Sequence, residues 1–120
     1  MLIAVFGLIV NSTNVPAQIK TGGYKKIAAT DAGAIAAAEY AAKAKAEQDN
    51  AEITLQTVKN AERQTVAGTN YKLCIEIYRT DEGDDVEVKR FAQTVVFYSL
   101  KKQYELKSWT EVESCGEEEQ

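Results

Sequence analysis

Between residues 52 and 79 apolar and polar positions alternate, and one break in the alternation is as informative as the rule. Ile53 and Leu55 share a parity that Val58 abandons by a three-residue step. A pleated strand turns every second side chain to the same face, so this step predicts a bulge or bend inside a strand over 52–63. Tyr71, Leu73, Ile75 and Ile77 then alternate with Lys72, Cys74, Glu76 and Tyr78. That is the pattern of an antiparallel strand over 69–79 with one buried face. Two further strands follow, over 86–100 and 104–112, separated from what precedes them by an acidic, glycine-containing turn at 80–85 and from each other by Lys101-Lys102-Gln103. Tyr24 to Ile27 makes a short first strand.

The periodicity changes between residues 30 and 48. Strong helix formers run there without a proline, with Thr30 or Asp31 able to cap the start and Gln48-Asp49-Asn50 supplying turn chemistry at the end. Ile35, Ala38, Ala42 and Ala46 fall on one stripe, while Glu39, Lys43 and Glu47 mark a wetter side. Small side chains on the stripe suit close approach to a sheet. They would equally suit a helix–helix interface, but the sequence offers no second helix. One helix and a four- to five-stranded antiparallel sheet make an α+β domain.

Gln64-Thr65-Val66-Ala67-Gly68 lies between the two best-patterned strands. Its composition suits a narrow hairpin tip, exposed to solvent, where glycine supplies a positive φ or lets another backbone approach closely. The pentapeptide resembles the Gln-x-Val-x-Gly motif of the cystatins, reversible protein inhibitors of papain-like cysteine proteases. Gly22-Gly23-Tyr24 resembles the N-terminal glycine segment of that family, Glu39-Tyr40-Ala41-Ala42-Lys43 its helix, and Gly68-Thr69-Asn70-Tyr71-Lys72-Leu73 the continuation of its motif. The matches keep the family's order and run from about residue 22 to residue 113. The resemblance implies a cystatin-like fold in which an N-terminal trunk with Gly22 and Gly23, the first hairpin with Gln64, Thr65, Val66, Ala67 and Gly68, and a second hairpin with Leu100, Lys101 and Lys102 line one edge. In the family this edge enters the protease cleft as a wedge and needs no catalytic residue, metal or cofactor.

The sequence departs from the family at the second hairpin, where Pro-Trp is common and Ser99-Leu100-Lys101-Lys102-Gln103 stands instead. Trp109, the sole tryptophan, falls inside the last predicted strand and is expected to pack on the sheet. Gln48-Asp49-Asn50 is not the Ser-Asn-Asp loop with which some cystatins bind legumain-type proteases, so that activity is not expected. The cysteines are a third departure. Many secreted cystatins bond a cysteine of the fourth strand to one near the end, and Ala92 lies about where the first partner would be. Cys115 keeps the second position. Cys74 sits mid-strand with another strand between the two, so a Cys74–Cys115 bond, two free thiols and an intermolecular link all stay open.

Composition narrows the alternatives. The chain has 120 residues, one domain's length, with 18 Asp+Glu against 14 Lys+Arg and a net charge of −4. An acidic balance argues against a nucleic-acid partner. Histidine is absent, which removes the commonest general base and zinc ligand. Residues 2–10 form an uncharged apolar run of signal-peptide length, too short for a bilayer-spanning helix of about 20 residues. We read 1–17 as a signal peptide cleaved after Ala17 and 18–120 as a single domain with a short acidic tail, hence a secreted protein with no membrane association. The alternative for the run is a buried strand. For function, the expectation is a monomeric protease inhibitor, with a domain-swapped dimer open to it. The alternatives are a cystatin-fold binding or structural module without inhibition and, far behind, an enzyme.

Overall fold

The computed structural model describes residues 23–116. Gly22, the 1–17 segment and the acidic tail over 117–120 therefore lie outside the described residues. The elements are β1 (Lys25–Ile27), α1 (Ala32–Asp49), β2 (Glu52–Val66), β3 (Gly68–Thr80), β4 (Val88–Tyr98) and β5 (Tyr104–Val112). The strands form one antiparallel sheet in chain order, with α1 packed across one face. This is the α+β architecture expected from the sequence, with five strands.

Asp31 caps α1, its Oδ2 accepting from the Ala34 N–H at 2.9 Å, and Asn50 ends it in the left-handed region at φ 56°. Both satisfy backbone groups that a helix end leaves without partners. The buried helix face is made of Ala34, Ala37, Ala38, Ala41 and Ala42. It is broader than the expected stripe: Ile35 packs only at its margin and Ala46 is half-buried. Against these alanines sit Leu73, Ile75, Ile77 and Val96 of the sheet. The large side chains come from the strands and the small ones from the helix, so the two layers pack closely.

The parity break in β2 has a double cause. Leu55 pairs with Ile77, Val58 with Ile75 and Ala61 with Leu73, and an extra residue, Gln56 and then Lys59, intervenes at each step. Each insertion returns an apolar side chain to the helix face that strict alternation would have turned outward. Two bulges also bend the longest strand around the helix. A third, between Val95 and Val96 against β5, does the same for the last strand, so that Leu106 and Trp109 both reach the core side. β4 is shorter than expected at both ends, and Val86 and Leu100, at the limits of the expected strand, are exposed.

Cys74 and Cys115 are bonded, with Cα atoms 5.7 Å apart. The intervening strand is no obstacle, because after Val112 the chain leaves the sheet and folds back over the face away from the helix. There Asn60 Nδ2 donates to the Cys115 carbonyl at 3.1 Å. Ala92 is fully buried on the opposite face, against the helix, so on the tail's side the thiol comes from Cys74 one strand further in. Closing a loop of 41 residues stabilises the fold by about 4 kcal/mol in the chain-entropy account.

Candidate functional site

The register of the sheet brings three segments to one end. Lys25 of β1 pairs with Arg63, which sets exposed Gly23 beside the last residues of β2. Val66 pairs with Gly68, leaving Ala67 alone to connect β2 to β3. Tyr98 pairs with Thr69 on one side and Tyr104 on the other, so the turn after β4 stands next to the first hairpin tip. Of the residues expected to form the site, Gly23, Gln64, Thr65, Val66, Ala67, Gly68, Leu100, Lys101 and Lys102 thus gather at one end.

Within the first hairpin, Thr65 and Ala67 are exposed and Val66 is half-buried. Gly68 differs from the exposed tip residue that the sequence suggested: it is buried, with φ at +116°. A Cβ there would stand 2.6 Å from the Tyr98 carbonyl oxygen and 2.8 Å from the edge of the Phe97 ring. Both reasons for a glycine hold at once, a conformation that L side chains rarely adopt and the close approach of another strand. Gln64 accepts a hydrogen bond at its Oε1 from Asn70 Nδ2 at 3.0 Å, tying the strands below the tip.

The second hairpin is closed by its own backbone. Ser99 N–H donates to the Gln103 carbonyl and Lys102 N–H to the Ser99 carbonyl, each at 2.9 Å. Ser99 Oγ accepts from the N–H groups of Lys101, at 3.2 Å, and Gln103, at 3.1 Å. Lys102 takes φ 65° to complete the turn. Leu100 is 76% exposed at its apex, an apolar side chain presented to solvent by a well-bonded turn. Behind it Tyr98, Tyr104 and Tyr40 form a stack, with ring centroids 4.5 and 5.2 Å apart, that props the hairpin on the helix. Burial, then neighbouring Tyr98, Tyr71 and Glu39, raises the Tyr104 hydroxyl above the ordinary phenol range.

The trunk has an anchor. The Lys72 amine lies 4.9 Å from the centre of the Tyr24 ring, and burial, assisted by Glu62, raises the Tyr24 hydroxyl. The contact ties Tyr24, the residue after exposed Gly23, to β3. Sequence reading singled out none of Phe97, Asn70, Ser99 or the Tyr24–Lys72 contact as part of the site. Asn70 alone had a signal, since folding the chain at Ala67 sets residue 70 opposite residue 64. Trp109 lies in β5, opposite Thr94, and packs at the core margin, away from the second turn.

At the opposite end Arg79 bonds Asp49 of α1 at 2.8 Å, Asp81 at 2.7 Å and Glu111 of β5 at 3.1 Å. The hydrogen bond from Arg79 holds the Asp49 carboxyl below its ordinary range, against a smaller effect of burial. Among the described residues no group of three or more His, Cys, Asp or Glu side chains is placed to hold a metal ion, and no helix is long and apolar enough to cross a membrane.

The cystatin domain family matches residues 22–116. Cystatin-2 of Ornithodoros moubata is 39% identical over 77 residues, which span 64% of this chain and 56% of that relative. The chain thus spans little more than half the length of the relative it matches. Among solved structures, the salivary cystatin of the soft tick Ornithodoros moubata superposes with a TM-score of 0.62 at 27% identity, covering 78% of this chain and 99% of that one. Dimeric human cystatin F superposes with a TM-score of 0.60 at 17% identity, covering 90% of this chain and all of that one, a likeness of fold. The chain belongs to the cystatin family.

Proposed function

We propose that this protein is a secreted, monomeric, reversible inhibitor of papain-like cysteine proteases, which enters the active-site cleft with the end formed by Gly23, residues 64–68 and residues 100–102, Gly22 contributing from the segment ahead. Cystatins are inhibitors, not enzymes, and family membership carries the general activity. The observation that carries the finer reading is the convergence of Gly23, the tip at Ala67 and exposed Leu100 at one end of the sheet. Both hairpins are held before any partner arrives, the first tip by Gly68 under Phe97 and the second by Ser99. A surface ordered in advance loses little conformational entropy on docking, so apolar contact by Val66 and Leu100 appears as affinity. Leu100 supplies an apolar apex where the family commonly has tryptophan, which favours inhibition over a module that has lost it. Inhibition is steric, so no side chain here has to perform chemistry.

Titrating the purified chain into a papain assay tests the reading. The expected result is saturable, reversible loss of activity at submicromolar concentration with the chain recovered uncut. Val66→Asp should weaken inhibition about a hundredfold or more, as burying an unpaired charge at a contact centre does. A folded chain that leaves papain unaffected at micromolar concentration would support the binding module.

A further inference from the structure

The two ends of the sheet carry opposite charge. At the hairpin end Lys25 and Arg63 face each other across β1 and β2, Lys101 and Lys102 stand on the second turn, and all four are exposed. Of the carboxylates nearby, Glu62 lies beside Tyr24 and opposite Lys26, Glu105 pairs with Lys107 at 3.6 Å, Asp31 caps the helix, and Glu39 of α1, close to Tyr104, is exposed. At the other end, the turn from β3 to β4 exposes Asp81, Glu82, Asp84, Asp85 and Glu87, and Glu52 opens β2 beside it.

β3 runs from one end to the other, roughly 40 Å for its 13 residues at about 3.3 Å each. The Debye length at physiological salt is about 8 Å. A partner docking at the hairpins therefore meets the local positive field, with the acidic end screened from it, and the net charge of −4 misdescribes the approach. In a negative field the same separation of charge turns the molecule hairpins first.

Resting on the inhibitor reading above, we propose that this end selects papain-like proteases whose active-site cleft is rimmed by acidic residues, with Lys101 and Lys102 as specificity-determining residues that act on the association rate. The turn is suited to this. Ser99 fixes the backbone carrying both lysines, while their long stems leave the ammonium groups in water, where they attract at a distance without a desolvation cost. The partner's charge should then appear in the on-rate, and the apolar contacts of Val66 and Leu100 in the off-rate.

The test is stopped-flow association of the wild-type chain and the Lys101→Glu/Lys102→Glu double variant with two papain-like proteases, one acidic and one basic around the cleft. Salt is varied from about 20 to about 500 mM, which shortens the screening length several-fold. For the acidic-rimmed enzyme the wild-type on-rate should fall about tenfold across that range. At low salt the double variant should associate with it about tenfold more slowly, and with the basic-rimmed enzyme faster, with off-rates within about twofold and an unchanged thermal midpoint. Inhibition of both enzymes with on-rates indifferent to salt and to the substitution would overturn the selection alone. A wild-type chain that inhibits neither enzyme would overturn the inhibitor reading and this inference together.

Discussion

In the first hairpin the glycine at the tip is fixed from outside, through the contact of Gly68 with Phe97 and the Tyr98 carbonyl on β4, whereas the turn of the second hairpin, propped from behind by the tyrosine stack, is closed from within by Ser99 bonding across its five residues. The first has no room for side-chain variation at its glycine. The second carries its apolar apex, Leu100, on a turn that asks nothing of that side chain except exposure. Substitutions in the first hairpin should therefore couple folding to binding, and substitutions at the apex of the second should separate them.

Gly68→Trp breaks the comparison most severely. The indole has to displace a strand carbonyl and occupy a left-handed backbone conformation, so we expect a loss of about 3 kcal/mol or more. That corresponds to a fall of roughly 10 °C or more in the thermal midpoint, together with loss of binding. A variant that melts within a few degrees of wild type would mean that Gly68 is not held by β4. Trp109→Ala comes next. Trp109 is half-buried in β5 at the core margin, so truncation should cost about 2 to 3 kcal/mol, below the range for fully enclosed aromatics, while the folded fraction keeps its inhibition. An equally stable variant that no longer inhibits would place the indole at the binding surface.

Leu100→Ala sharpens the contrast from the other side. Affinity should fall about tenfold, the size of a single apolar contact at an interface, with the melting curve superposed on wild type; a shifted curve would show that the apex supports the fold. The smallest effect concerns the end of the sheet away from the hairpins. Asp49, held by Arg79, has a folded-state pKa below its unfolded value. Its contribution to stability is fully present above the unfolded carboxylate value, about 3.9, and is lost as pH falls through the folded value. Asp49→Asn should lower the melting temperature by a few degrees at pH 7, and the gap to wild type should close in strong acid with inhibition unchanged throughout. A gap that persists below the folded value would argue that the substituted amide disrupts packing and not charge.

How far these features could be read in advance depended on whether they rest on periodicity or on distance. The strand over 69–79 and the helix are written in side-chain spacing, and so was the irregularity in β2, because Val58 breaks parity whether or not the bulges are seen. That two insertions were present needed Ala61, an alanine too small to register as a core position by composition. Gly68 could be recognised as a turn glycine, but its burial comes from Phe97, far along the chain on β4, and no local pattern encodes that meeting. The disulfide stayed one of three alternatives because whether the chain after Val112 curls back over the sheet is set by contacts such as Asn60 with the Cys115 carbonyl, which no local pattern encodes. Leu100 and its neighbours were legible through the turn chemistry around them, while the Tyr24–Lys72 contact required the register of a three-residue strand.

If one preformed end of the sheet blocks a protease cleft by filling it, without reacting, then the protease's own nucleophile should be dispensable for binding. The most direct measurement is the affinity for a papain-like protease whose catalytic cysteine has been replaced by serine, compared with the active enzyme, by surface-bound kinetics. Dissociation constants should lie within about tenfold of each other, a difference of no more than about 1.4 kcal/mol, and an intact chain should be recovered from both complexes. Binding that requires the active cysteine, or a chain returned cleaved after Gly68, would contradict steric blockade.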